Sequence, residues 1–400
     1  MKKKLSIIGG GACALVLASE IDTKQFDVTL YERNANLGRK FLVAGDGGLN
    51  ITHSESKAQF IKRYTPHEFL QSAFDSFSNE DLITWLNDLG IETFTGSSGR
   101  VFPDKGIKPA EVLAVFLKKI KINSVVVKTK HTWQGFGINN SLLVEHNNQL
   151  LEIKSDVIVY CLGGASWPVT GSKGDWLRYF ADKNISVKEF QSSNCAFKIV
   201  WPEDLVSKIE GKVLKNISLS SGNKKHEGEI VLTKFGVEGS GIYPLSPEIR
   251  DQLNVTGAAD ITIDLKPSLT PDKIIEKLAG GGNKNLSDIL KNVLNFTQTH
   301  IQLLKTFISK EDFLDHKKLT GHIKSFKLTI TGMAPIEEAI STVGGVSLPE
   351  INKNFELKKL PGHYAIGEML DYDAPTGGYL LQSCFTMGKC LAEHLNSSNI

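Results

Sequence analysis

Three consecutive glycines at the end of a short apolar run constrain this chain more than any other feature. The opening residues read Lys4-Leu5-Ser6-Ile7-Ile8-Gly9-Gly10-Gly11-Ala12-Cys13-Ala14-Leu15-Val16-Leu17-Ala18. Residues 5–8 have the length and apolarity of a buried strand, and 12–18 those of a helix. A second strand is expected over 28–31, ending on Glu32. Gly9, Gly11 and Ala14 fall on the three small positions of the G-x-G-x-x-G/A pattern. Gly9 permits the tight turn from strand to helix. Gly11, without a Cβ, lets a pyrophosphate approach the backbone, and Ala14 lets the helix pack closely on the sheet. The pyrophosphate would rest on the free N–H groups and positive dipole end of that helix. Glu32 follows at the spacing of about twenty residues where a carboxylate accepts ribose hydroxyls. An acid there, rather than a basic residue, points to an unphosphorylated ribose, hence FAD or NAD before NADP.

The 400 residues suffice for two or three domains with real cores. A net charge of +2 leaves no electrostatic footprint for nucleic acid or membrane. Cys13, Cys161, Cys195, Cys384 and Cys390 lack any C-x-x-C or zinc spacing. They read as small buried hydrophobes in a reducing compartment. His300, His316 and His322 have no metal-ligand spacing either, so no metal site is expected. The run after Met1 is too short for a signal peptide, and no stretch approaches the roughly eighteen apolar residues of a membrane span. The expectation is a cytoplasmic, soluble protein.

Beyond Glu32 the chain carries Arg39 and Lys40, then a glycine-rich stretch, 45–52. Cations followed by backbone donors suit phosphate and a wrapped cofactor. Residues 66–90 show helical spacing of apolar residues, and 109–120 a helix. Arg100 stands in a turn, where it could face a substrate. Strands are expected over 124–133, 141–145 and 150–153, an added meander. A buried strand over 156–162 ends in Gly163-Gly164, and its C-terminal end would touch a ligand crevice. A helix is expected over about 176–183. Residues 191–265 read as short strands broken by turns, with a glycine-rich loop over 233–242. Residues 271–316 are helical by pattern, interrupted by the loop 280–283. A strand over 363–371 ends in a glycine and two acids. Gly377-Gly378 then opens a final helix to about residue 395, where an N-terminus could stabilise charge at the edge of a reduced flavin.

The opening fingerprint, GRKFLVAGDGGLN (38–50), GGASWPVTGSKGD (163–175), STVGGVSLPEI (341–351) and AIGEMLDYDAPTGGYLLQ (365–382) together resemble the YhiN/BaiN-like flavoproteins, often labelled NAD(P)/FAD-dependent or aminoacetone-oxidase-like oxidoreductases. The resemblance runs through the whole chain. It implies an α/β protein: a discontinuous FAD-binding Rossmann-like domain (1–190 and 336–400) with an insert (191–335) made of a β-barrel and a small helical subdomain, about 271–324. It implies FAD contacts at Gly9, Gly11, Ala14, Glu32, Arg33, Arg39, Lys40, Asn50, Gly164, Gly367, Asp371, Gly378 and Tyr379. Asn50, Arg100 and Tyr379 are candidates to line the flavin face. Many relatives carry a GGGRCN-like segment where this chain has Asp46-Gly47-Gly48-Leu49-Asn50, so roles of that arginine and cysteine do not transfer.

The leading expectation is hydride transfer between FAD and a small organic substrate. No second fingerprint follows a second strand, so any NAD(P)H would bind transiently, without a Rossmann unit of its own. Some family members reduce uridine in ribosomal RNA. That partner would need a basic face, for which Lys212, Lys215, Lys224, Lys225 and Lys234 of the insert are the candidates. A third reading is a protein that holds FAD without catalysis.

Overall fold

The computed structural model describes residues 2–44, 48–282 and 285–398. They fall into two compact units, 1–192 with 336–400 and 193–335.

The first unit is built on a five-stranded parallel sheet. Strand β1 (Lys3–Ile8) lies at its centre. It is flanked by β2 (Phe26–Glu32) and, on the other side, by Val157–Tyr160; Val126–Thr129 and His363–Ala365 form the edges. The first three strands therefore fan out one way from β1 and the last two the other way. This is the doubly wound order whose topological switch point lies at the end of β1. Helix α1 (Ala12–Glu20) is buried from Cys13 to Ser19 without a polar face. An amphipathic helix would not fit there, because the last helix, Tyr379–Ser397, covers its outer side. A Cβ on Gly388 of that helix would stand 2.8 Å from the Cys13 carbonyl oxygen, so glycine sets the closeness of the crossing. Glu20 at the end of α1 accepts hydrogen bonds from Lys119 and Lys389, pinning helices Pro109–Ile122 and Tyr379–Ser397 to it.

The second unit holds seven strands in one antiparallel sheet. Its two outermost strands, Phe326–Ile330 and Gly332–Met333, are separated by Thr331 alone. One stretch of chain thus borders Ala259–Asp264 at one end of the order and Phe197–Lys198 at the other, closing the sheet into a barrel. Among the described residues, five helices between Pro271 and Lys324 form the helical subdomain. Among the described residues no helix is long and apolar enough to cross a membrane.

Several local expectations change. The stretch 66–90 forms two helices, Glu68–Ser76 and Asn79–Asp88, because Ser78 and Asp81 form a capping box that starts the second. The expected strand 124–133 breaks at Lys130, whose φ of 57° turns the chain. Val126–Thr129 stays with the parallel sheet, while Thr132–Phe136 opens the meander with Leu142–His146 and Gln149–Ile153. The insert's strands are not uniformly short: Val213–Ser221 and Lys224–Leu232 run nine residues each. Helices Glu203–Ile209 and Ser246–Thr256, which the sequence reading lacked, interrupt them. The strand expected over 363–371 stops at Ala365, since Gly367 takes a φ of 90°.

Candidate active site

The turn after β1 shows why each glycine is there. Gly9 has a φ of 98°, and a Cβ on it would lie 2.4 Å from the Cys161 carbonyl oxygen at the end of the adjacent strand. A Cβ on Gly10 would meet the Leu37 side chain at 2.4 Å. Gly11, the N-cap of α1, differs: nothing lies within 4 Å of a Cβ built there. Ala14, two residues into α1, is fully buried. The Glu32 carboxylate is buried and already engaged. One oxygen accepts the Gly10 N–H at 2.8 Å, and the other accepts the Asn34 backbone and amide N–H groups at 2.7 Å each. Two oxygens with about four acceptor positions leave room for one further donor.

The cations near the turn take protein partners. Arg33 pairs with Asp175 at 3.7 Å. Arg39 donates to Asn34 Oδ1 at 2.7 Å and to the Val169 carbonyl at 2.9 Å. Lys40 donates to Ser166 at 3.1 Å and to Glu368 at 3.3 Å. Arg39 and Lys40 thus tie down the turn after Gly163-Gly164, in which Trp167 holds a left-handed φ of 51°. Such strain persists only where the surroundings over-determine it, which is common at ligand clamps. The Ser172 hydroxyl of the same loop is buried without a partner among the described residues.

Glu368 is the residue that sequence reasoning missed. It is buried, and accepts the N–H groups of Gly164 at 3.3 Å and Thr342 at 3.2 Å besides Lys40. A Cβ on Gly164 would stand 2.1 Å from Thr342 Oγ1. The available signal was the pair Gly367-Glu368 after a buried strand. Gly367 is required by α1, since a Cβ on it would lie 2.6 Å from Cys13 Sγ. Asp371, expected at the cofactor, is in an ion pair with Lys188 at 2.7 Å.

A second glycine turn opens the last helix. Gly377 and Gly378 have φ of 116° and 92°, and a Cβ on Gly378 would lie 2.6 Å from Thr52 backbone atoms. Tyr379 is buried. Its ring stacks on His53 at 5.6 Å, and its hydroxyl donates to Glu55 at 2.6 Å. Burial, with the Glu55 carboxylate beside it, raises the Tyr379 pKa far above the usual phenol range. Burial pushes Glu55 up, but hydrogen bonds from Arg63 and Tyr379 prevail and hold it below the ordinary carboxylate value. Asn50 donates its amide to the carbonyls of Thr52 at 2.8 Å and Val101 at 3.0 Å. The Arg100 guanidinium has no hydrogen-bond or ion-pair partner among the described residues. Of the stretch 45–52 expected to wrap a cofactor, Gly45, Asp46 and Gly47 lie outside the described residues.

These features fit a dinucleotide: open space in front of Gly11, a buried acid with acceptor capacity left, and at Ser172 a buried hydroxyl with no partner among the described residues. Residues 3–394 match the HI0933-like protein Rossmann domain. The chain is 24% identical over 391 residues to the ribosomal RNA dihydrouridine synthase of Haemophilus influenzae, covering 94% of each chain. It is 21% identical over 405 residues to the 3-dehydro-bile acid delta(4,6)-reductase of Clostridium scindens, covering 96% of this chain and 97% of that one. Among solved structures, 3-ketosteroid delta1-dehydrogenase from Sterolibacterium denitrificans superposes with a TM-score of 0.53 at 12% identity, over 100% of both chains. A match over nearly its whole length places this chain in the HI0933-like Rossmann family, that of the YhiN/BaiN-like flavoprotein oxidoreductases.

Proposed function

We propose that this protein is a FAD-dependent reductase that saturates a carbon–carbon double bond conjugated to a carbonyl group, with NAD(P)H as electron donor. The observation that carries the cofactor is Gly11, the one glycine of its turn with open space before it. The relatives support the reaction. One is named for making dihydrouridine and another for reducing delta(4,6) unsaturation. These are different substrates with the same kind of bond chemistry.

The N–H groups at the start of α1 would hold the pyrophosphate, and Glu32 a ribose hydroxyl. Backbone at Gly164, Gly367 and Gly378 would line the rest of the cofactor, with 1–190 and 336–400 as its domain and 191–335 as the insert. FAD, when bound, supplies a hydride at its N5 position. NAD(P)H would deliver electrons transiently, since the sequence holds one dinucleotide fingerprint. Five free cysteines suit work in the reducing cytoplasm.

A small substrate is favoured over RNA. Of the five insert lysines that a basic face would use, Lys215 and Lys224 are paired with Glu229 and Glu248. The test is the visible spectrum of the purified protein under anaerobic conditions. Bands near roughly 370 and 450 nm that NADH or NADPH bleaches, and that cyclohex-2-enone restores, are expected. Restoration by a uridine-containing RNA alone would favour the RNA reading, and a colourless protein that FAD cannot reconstitute would remove both.

A further inference from the structure

The polar side chains around Gly377-Gly378 can be sorted by whether their donors are already used. His53 accepts the Glu55 N–H at Nδ1, 3.1 Å away, which places its proton on Nε2, and that proton goes to the Ser98 carbonyl at 3.0 Å. The Tyr379 hydroxyl is committed to Glu55, and the Asn50 amide to two carbonyls. Glu55 is paired with Arg63 at 2.8 Å. Arg100 is left with its donors unengaged among the described residues.

Its position is nevertheless fixed. Arg100–Pro103 is the middle strand of a three-stranded sheet, with Thr52–His53 on one side and Thr93–Thr95 on the other. Arg100 pairs directly with His53, and its carbonyl accepts the Gly96 N–H at 2.8 Å. A Cβ on Gly377 would lie 3.9 Å from Arg100 Nε, so the Arg100 side chain runs beside the glycine turn. A half-buried cation on a strand-fixed backbone, without a counter-charge among the described residues, is poorly placed for stability. It is well placed to receive an anionic oxygen, which a planar guanidinium binds through two parallel N–H groups.

We propose that Arg100 binds the carbonyl oxygen of the substrate and stabilises the enolate formed from it. This rests on the reading of the protein as a reductase of conjugated double bonds. In that reaction the β-carbon receives a hydride from reduced flavin, and the carbon–carbon π bond breaks. Its electron pair shifts through the α-carbon to the carbonyl oxygen, giving the enolate that Arg100 holds. The α-carbon then takes a proton from water and the carbonyl re-forms, leaving substrate reduced by two electrons and flavin oxidised. Arg100 takes no part in the proton transfer and acts only by holding the oxygen. The substrate class is therefore an α,β-unsaturated ketone, ester or amide, not an isolated alkene.

The test uses 4-nitrophenolate, whose phenolate oxygen resembles the enolate, with Arg100→Gln and Arg100→Lys variants. Affinity is read from difference spectra of the FAD-loaded protein, and flavin content from the same samples. Arg100→Gln should weaken 4-nitrophenolate binding and slow reoxidation by cyclohex-2-enone by about a hundredfold. Flavin content and the rate of bleaching by NAD(P)H should stay unchanged, with Arg100→Lys in between. Native-like phenolate affinity and reoxidation in Arg100→Gln would overturn the assignment while leaving the flavin reading intact. A native protein that takes up no flavin would overturn that reading, and this one with it.

Discussion

Two glycine turns open helices in the first unit, and they are built differently. In the Gly9–Gly11 turn two positions are closed by the protein, by the Cys161 carbonyl and the Leu37 side chain, and the third faces open space. In the Gly377–Gly378 turn, Gly378 is closed by the Thr52 backbone and Gly377 lies 3.1 Å, by its missing Cβ, from the Tyr379 ring. What stays unengaged there is a side chain, Arg100. A glycine in a sequence can therefore record either a close approach within the protein or room for something else. The first turn contains both kinds within three residues.

Substitution separates the two kinds. Gly9→Ala should have the largest effect: a left-handed φ and a clash with fixed backbone together cost about 3 kcal/mol, read from urea unfolding. A native unfolding midpoint in that variant would show that the turn can relax and would break the contrast. Tyr379→Phe comes next. It removes a buried hydrogen bond to a charged group, worth about 2 kcal/mol, and should leave flavin content unchanged. Its pH dependence sharpens the point. Glu55 is held below its ordinary value in the folded protein, so its contribution is present above its unfolded pKa. That stability is lost as pH falls below the ordinary glutamate value and through the depressed one. The acid-side loss should be shallower in Tyr379→Phe, since one of the two groups holding Glu55 down is gone. Gly11→Ala should change stability least, by under about 0.5 kcal/mol, because its backbone is extended and its surroundings are open. Its effect belongs on FAD affinity, expected to fall about tenfold by fluorescence titration. Equal losses of stability in Gly9→Ala and Gly11→Ala would erase the distinction.

Residues whose role depends on near neighbours were the legible ones. The strand–glycine–helix order at 5–18 and the acid at 32 could be read directly, because a βαβ turn is a local object. The resemblance implies cofactor contacts at Asp371 and Tyr379; the side-chain partners the structure gives them, Lys188 and Glu55, lie 183 and 324 positions away in the chain. The donors to Glu368 come from Lys40, Gly164 and Thr342, three segments with no local signature in common. Cys13 and Cys384 looked unrelated, but both lie within 4 Å of where a Cβ on Gly367 would stand.

The sequence by itself determined the strand–glycine–helix turn at its start and the class of fold. Periodicity, glycine placement and the order of strands and helices are properties of short segments, and the backbone rules that act on them are local. The tertiary structure alone decided which donors are spent and which are free. Hydrogen-bond satisfaction is set by whichever groups meet across the sheet and helix interfaces, and their separation along the chain carries no information about it. That is why Arg39, Lys40, Asn50, Arg100 and Tyr379 looked alike as candidates, and why only Arg100 among them keeps its donors unengaged within the described residues.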